Sequence, residues 1–429
     1  MERRHDVGRR SARTEHDVEG ALPTFSLTAL SVASFLGFGA LLVLFGANSS
    51  ELIESLSLDY ADLGLLGSML SLGLGCGIIL AGPIIDRFPR RPLYLASCGL
   101  VLLATTTLGP NTSYPALLAH TIAIGFGAGF YETVLNALIV EESSTSAPRR
   151  LIFVHSAATL AASVTPLLFA VARASEGMPW YETFRVVGLA HILLMVGALF
   201  VPMRAPRHYR KAKAQMNRAA TNNAAAFASF RPKDDRIALA AVCVATFAYV
   251  GVESAISLFV VDHASTELGL DTARAARTIS AFWGGLLIGR LAIGFSPRPI
   301  GAGILSAFAA VAALLIMAFG GGLIGSPEVA MAGVGFFLGG VFPVMIGLAG
   351  IAFPSSAGTA VGLAGGLGSL GGFVVPWLTG RLANGIGLSL ALASLGVWLL
   401  ALAAAAAFVR TRTRTPSLSG DSAHGQNGL

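Results

Sequence analysis

Apolar residues run along this chain in about twelve long blocks, each near the roughly 20 residues a helix needs to cross a bilayer. In the first half they fall at roughly 25–47, 60–84, 92–109, 114–139, 153–173 and 183–203. In the second half they fall at roughly 237–261, 274–295, 301–323, 328–352, 356–380 and 387–409. The blocks predict an all-α membrane protein of about 12 transmembrane helices, split into two pseudo-symmetric six-helix bundles over 25–203 and 237–409. Polar sequence supplies a tail over 1–24, a linker over 204–236 and a second tail over 410–429.

Composition agrees with that pattern. Apolar residues make up 54% of the 429 positions and charged residues 12%, about half the charged share of a soluble domain. A soluble fold could not cover so much apolar surface. The 51 glycines suit membrane helices that approach one another closely. The opening MERRHDVGRRSARTEHDVEGALP is too polar for a signal peptide and reads as a disordered cytoplasmic tail. Cys76, Cys98 and Cys243 all fall inside apolar blocks, so no disulfide framework is expected.

Charge then orients the chain. Cytoplasmic loops are enriched in Lys and Arg. Arg87, Arg90 and Arg91 follow span two, Arg149 and Arg150 follow span four, and Arg298 follows span eight. The basic linker and Arg410, Arg412 and Arg414 continue the series. The alternate loops collect Glu51, Glu54, Asp59, Asp62, Glu176, Glu182, Asp262, Glu267, Asp271 and Glu328. This alternation predicts a multi-pass protein of the cell membrane with both termini in the cytoplasm. The net charge of +6 is explained by topology, and nucleic-acid binding is not expected.

Two motifs recur at nearly one shift. LAGPIIDRFPRR follows span two and LIGRLAIGFSPR follows span eight, with 289 − 82 = 207 between their glycines. Glycine-rich GFGAG in span four is echoed by GVGFF in span ten, with 333 − 125 = 208. The run from Gly82 through Asp86 and Arg87 to Arg90 and Arg91 resembles the loop-two signature of the major facilitator superfamily. The resemblance extends over residues 25–409 and implies the major facilitator fold. It also implies that Asp86 and the basic residues lock the two halves in one state. The second copy keeps Gly289 and Arg290 but has no Asp, so the first copy should matter more for gating. Within the superfamily, GFGAGFYETVLNA (125–137), His155 with Pro166, AYVGVES (248–254) and FWGGLLIGR (282–290) are similar to the fucose–proton symporter-like branch.

Glu132 and Glu253 are the acids deep inside predicted spans. A charged residue there costs about 2.5–3.5 kcal/mol on insertion scales and marks a functional site by default. A carboxyl in apolar surroundings can take up and release a proton, as a proton-coupled carrier requires. The resembled family points the same way for Glu132, although span one lacks the acid that family carries there. Asn136 lies at i+4 from Glu132, and Tyr249 at i−4 from Glu253, so each pair can face one cavity. Tyr131, Phe282, Trp283 and His155 complete the candidate substrate-binding set, and His191 sits mid-span. The cavity, expected near the midplane along spans one, four, seven and ten, is poor in amides for a sugar site, because Gln215 and Gln426 lie outside the spans.

No phosphate-binding loop and no metal-ligand spacing is present, so no cofactor and no enzymatic activity are expected. The leading expectation is a monomeric secondary transporter. It moves a small organic solute by alternating access, coupled to protons by symport. One rival is a proton antiporter exporting amphiphilic compounds. It is weakened because Thr165 precedes Pro166 and the exporters' later glycines are missing. The other is a non-transporting receptor on the same fold.

Overall fold

A computed structural model describes residues 23–142, 147–203, 235–296, 300–352 and 357–413. The amino-terminal tail, the linker over 204–234, Arg298 and Arg414 lie outside the described residues. The first part of the chain forms α1 (Pro23–Ala47), α2 (Ser49–Leu56), α3 (Tyr60–Arg87), α4 (Arg90–Thr106), α5 (Tyr114–Glu142), α6 (Ala147–Glu176) and α7 (Trp180–Phe200). The second part forms α8 (Arg236–Thr266), α9 (Thr272–Gly294), α10 (Ala302–Gly320), α11 (Pro327–Leu338), α12 (Val341–Ala352), α13 (Ala357–Ile386) and α14 (Leu388–Thr413). Among the described residues there is no strand.

Every predicted apolar block coincides with a helix or, in one case, with two. Among the described residues, 10 stretches are long and apolar enough to cross a membrane. The others fall short for local reasons: α4 has only 17 residues, and α9 carries Arg274, Arg277 and Arg290. Large apolar side chains face outward without protein cover, as at Leu193 (74% exposed) and Phe200 (80% exposed). That is the surface a lipid-facing helix presents. The protein is an all-α, multi-pass membrane protein.

Three sequence expectations need correction. Most of the acids assigned to loops lie in helices: Glu51 and Glu54 in α2, Asp62 in α3, Glu176 in α6, Glu182 in α7, Asp262 in α8 and Glu328 in α11. Helices continue past their apolar stretch because polar end turns can be capped. Asp235 Oδ1 accepts from the Ile237 and Ala238 amides at the start of α8, and Asp271 Oδ1 accepts from the Arg274 amide at the start of α9. Next, α5 runs on to Glu142, beyond the block ending near residue 139. Finally, the block at 328–352 is broken between α11 and α12 at Gly339 and Gly340.

The described residues divide into two compact units, those within 1–52 and 69–226 and those within 53–68 and 227–429. In the first, α1 packs on α6, and α4 packs between α5 and α7. In the second, α8 packs on α13, α14 and α12, α10 on α14, and α9 on α11. The first turns of α3 fall in the second unit. There the Tyr60 amide donates to Asn384 Oδ1 at 3.0 Å, and the Ser68 hydroxyl donates to the Phe373 carbonyl at 2.5 Å.

One crossing repeats between the units. A Cβ at Gly285 or Gly289 would overlap the carbonyl of Ala332 or Phe336 on α11. A Cβ at Gly73 or Gly77 would likewise overlap the carbonyl of Ile122 or Phe126 on α5. Glycine is required at such backbone approaches. The crossing glycines are related by 289 − 77 = 212 and their partners by 336 − 126 = 210, against 207 for the loop motif. The repeat is therefore real in packing, but Gly289 matches Gly77, whereas Gly82 has nothing within 4 Å of its added Cβ.

Candidate functional site

In the first unit, Glu132 and Asn136 sit one turn apart on α5, both half-buried, with their side chains facing each other. Asn136 Oδ1 is buried without a hydrogen-bond partner. The neighbouring Tyr131 turns the other way, into the unit. It is fully buried between the rings of Phe38, Tyr94 and His191, with centroids 6.4, 6.2 and 5.8 Å away. Tyr94 and Ser34 share a hydrogen bond of 2.6 Å, and His191 Nδ1 donates to the Val187 carbonyl at 2.9 Å. The Tyr131 ring is thus a packing surface here. His155 lies 4.6 Å from the Phe35 ring on α1 and stays partly exposed.

The second unit holds a matching arrangement on α8. Tyr249 and Glu253 are one turn apart, and the Tyr249 hydroxyl faces both Glu253 and Arg290 of α9 without closing a well-formed hydrogen bond to either. The Tyr249 ring stacks on Phe342 of α12 at 5.8 Å. Arg290 Nε donates to the Gly339 carbonyl at 3.3 Å, where α11 stops. Glu253 and Arg290 are both half-buried, whereas Tyr249, Phe282 and Trp283 are buried. Phe282 and Trp283 meet edge to face at 5.8 Å. The sequence placed Arg290 with the gating motif, but the structure sets it beside Glu253 and Tyr249.

The loop motif after α3 is spread out. Asp86 and Arg87 are exposed at the end of α3, and Gly82 is half-buried. Arg90 forms an ion pair with Glu141 at the end of α5, and Arg91 donates to the Val201 carbonyl at 2.9 Å. Arg150 bridges Glu142 at 2.7 Å and donates to Thr28 of α1 at 2.7 Å. Glu141 and Glu142 were missed from sequence because the apolar block ends before them. The only signal was two adjacent acids following a span, in the same unit as a basic pair. No metal-holding cluster of His, Cys, Asp or Glu occurs among the described residues.

Comparison with known proteins agrees with this architecture. The model of the Major Facilitator Superfamily matches residues 30–376. The chain is 20% identical over 356 residues to the glucose/mannose transporter GlcP of Bacillus subtilis, covering 82% of this chain and 86% of that one. It is 31% identical over 150 residues to the glucose/galactose transporter of Brucella abortus, covering 34% of this chain and 36% of that one. The crystal structure of a D-xylose–proton symporter superposes with a TM-score of 0.73 at 17% identity, over 90% of this chain and 97% of that one. These matches reach the superfamily and do not single out its fucose–proton branch. With twelve apolar blocks folded as helices, a repeated crossing in both units and a family match over most of its length, the chain belongs to the Major Facilitator Superfamily, whose members are membrane transporters and not enzymes.

Proposed function

We propose that this secondary transporter carries a small organic solute through the cell membrane by symport with protons, using Glu132 and Glu253. The observation that carries the reading is the repetition of one motif in both units. Each unit has a helix-borne, half-buried carboxyl with a polar partner one turn away: Asn136 for Glu132 and Tyr249 for Glu253. Carboxyls within membrane helices are expensive and persist where they do chemistry. A carboxyl that is neutral when protonated and charged when not can couple proton binding to a change of state.

Gly82, Asp86, Arg87, Arg90 and Arg91 serve as the gating end of the first unit, with the Arg90–Glu141 pair as a breakable contact. In this reading the basic ends face the cytoplasm with both termini, and the working form is a monomer. The relatives just described carry sugars or move a sugar with protons, which supports solute–proton symport in general.

Full-length protein in liposomes loaded with a pH dye provides the test. A transported solute should acidify the lumen in wild type, and Glu132→Gln should abolish that signal while leaving the thermal unfolding midpoint within a few degrees. Wild-type proton flux in Glu132→Gln would remove this residue from the mechanism.

A further inference from the structure

The end of α8 is fastened to the start of α14 by a histidine, a serine and a carboxylate. Glu267 Oε1 accepts from the Leu388 amide at 2.9 Å. Its Oε2 accepts from the Ser389 amide at 3.1 Å and from the Ser389 hydroxyl. The single proton of that hydroxyl is committed to Glu267, so the Ser389 oxygen accepts from His263 Nε2, 2.8 Å away. This fixes the tautomer: Nε2 carries the ring proton and Nδ1 is bare. His263 is 1% exposed, and its ring lies 5.0 Å from that of Phe319 on α10. Its Nδ1 is buried without a hydrogen-bond partner.

We propose that His263 makes this clasp acid-sensitive, a proton on its ring releasing the end of α8 from the start of α14. The second ring proton must sit on Nδ1, where the closed clasp offers no acceptor. An orphaned charged donor in a buried site is costly. The Glu267 carboxylate, 3.7 Å from Nε2, opposes release by attracting the imidazolium. That attraction is the weaker effect. Glu267 is 31% exposed and already accepts from three donors, and partly exposed ion pairs contribute little. In the open clasp, water solvates the ring charge and supplies the missing acceptor.

Among the described residues, Glu267 is the charged group that acts on His263. Asp262, next to it on α8, is buried but faces Thr266 and Tyr60 of α3. Asp59 and Asp62 accept from each other's amides. Neither α10 nor α12 carries an ionisable side chain, and α14 has none before Arg410. Arg381 of α13 lies over the Trp377 ring, and Arg274 and Arg277 of α9 are exposed. For one proton, the opening constant rises by up to about tenfold per pH unit below the ordinary imidazole value of about 6.5.

The clasp does not depend on the symport reading. In the orientation proposed above, this end of α8 faces outside, and His263 stands about 15 Å along the helix from Glu253. External acid then loosens the helix that bears one of the two proposed proton carriers.

Hydrogen exchange of the full-length protein in detergent, corrected for the intrinsic effect of pH, provides the test. Between pH 6.5 and 5.5 the Leu388 and Ser389 amides should lose up to about tenfold in protection, while the middle of α10 stays protected. His263→Gln can still donate to Ser389 but takes no proton, so its protection should be the same at both pH values. Acid release that persists in His263→Gln would assign the titration to Glu267 or Asp262 and overturn the proposal. Two readings on the wild type need no variant. Unchanged protection at Leu388 and Ser389 in acid overturns the clasp, as does a loss spread evenly over the second unit. Exchange of the imidazole C2 hydrogen, read by mass spectrometry, gives the titration midpoint of His263 itself. It should coincide with the pH at which the two amides are released, and a midpoint more than about one unit away, tenfold in proton concentration, refutes the link.

Discussion

Glu141 shows how much one side chain can hide from a linear reading. Its side chain is only 6% accessible, its partner Arg90 15%, and the two residues lie 51 positions apart in the chain. Removing one member of a buried ion pair leaves the other charge unpaired, at a cost on the order of 3 kcal/mol. Glu141→Gln should therefore lower the unfolding midpoint in detergent clearly more than Glu142→Gln, whose partner Arg150 is also held by Thr28. Adding Arg90→Gln to Glu141→Gln should restore part of the loss, because the orphan charge is then gone. An additive double variant would mean that the pair is not coupled. The two half-buried carboxyls, by contrast, were legible from sequence alone, since a Glu amid apolar residues stands out at any register. Arg290 was visible as a residue but not as a neighbour of Glu253, because its place depends on how α9 turns against α8. The burial of Tyr131, Phe282 and Trp283 was hidden for the same reason: a run of residues in an all-apolar span carries no clear periodicity to say which side faces in.

At the scale of helices, the positions of the spans were readable because bilayer crossing demands length and apolarity together. Their ends were not, because end turns are set by caps such as Asp235 and by ion pairs such as Arg150–Glu142. The break at Gly339 and Gly340 was also hidden, since glycine-rich membrane helices are common and only packing decides which ones open. The repeat was detected from a loop motif at a shift of 207, yet the crossing that shapes each unit follows a shift of 210 to 212. This difference makes a sharp prediction. Gly289→Ala should cost about 1–3 kcal/mol, because its methyl meets the Phe336 carbonyl. Gly82→Ala should be tolerated without loss of stability, since nothing stands within 4 Å and Ala is the better helix former. Expression level and unfolding midpoint of the two variants, side by side, decide it. Equal losses would show that the two glycines are equivalent after all.

For the whole molecule, membrane residence and helical class were legible from composition, and charge asymmetry supplied the expected orientation. How the units divide was less so: the chain assigns 53–68 to the second unit, although this segment lies early in the sequence. One further consequence follows from the shortness of α4. At 1.5 Å per residue, its 17 residues reach about 26 Å, while the 31 residues of α8 reach about 46 Å. The hydrocarbon layer is about 30 Å thick, so the lipid meets one helix that is too short and another that overshoots. A thicker layer would press on the α4 start, where Arg90 and Arg91 hold their partners, at a fraction of a kcal/mol per Å. Transport should therefore peak in vesicles of intermediate acyl length and decline in thick ones, and a profile indifferent to chain length would contradict this. The lipid around α4 thus acts on the protein as a mechanical load, and membrane thickness becomes a setting for the ion pairs at one end of the first unit.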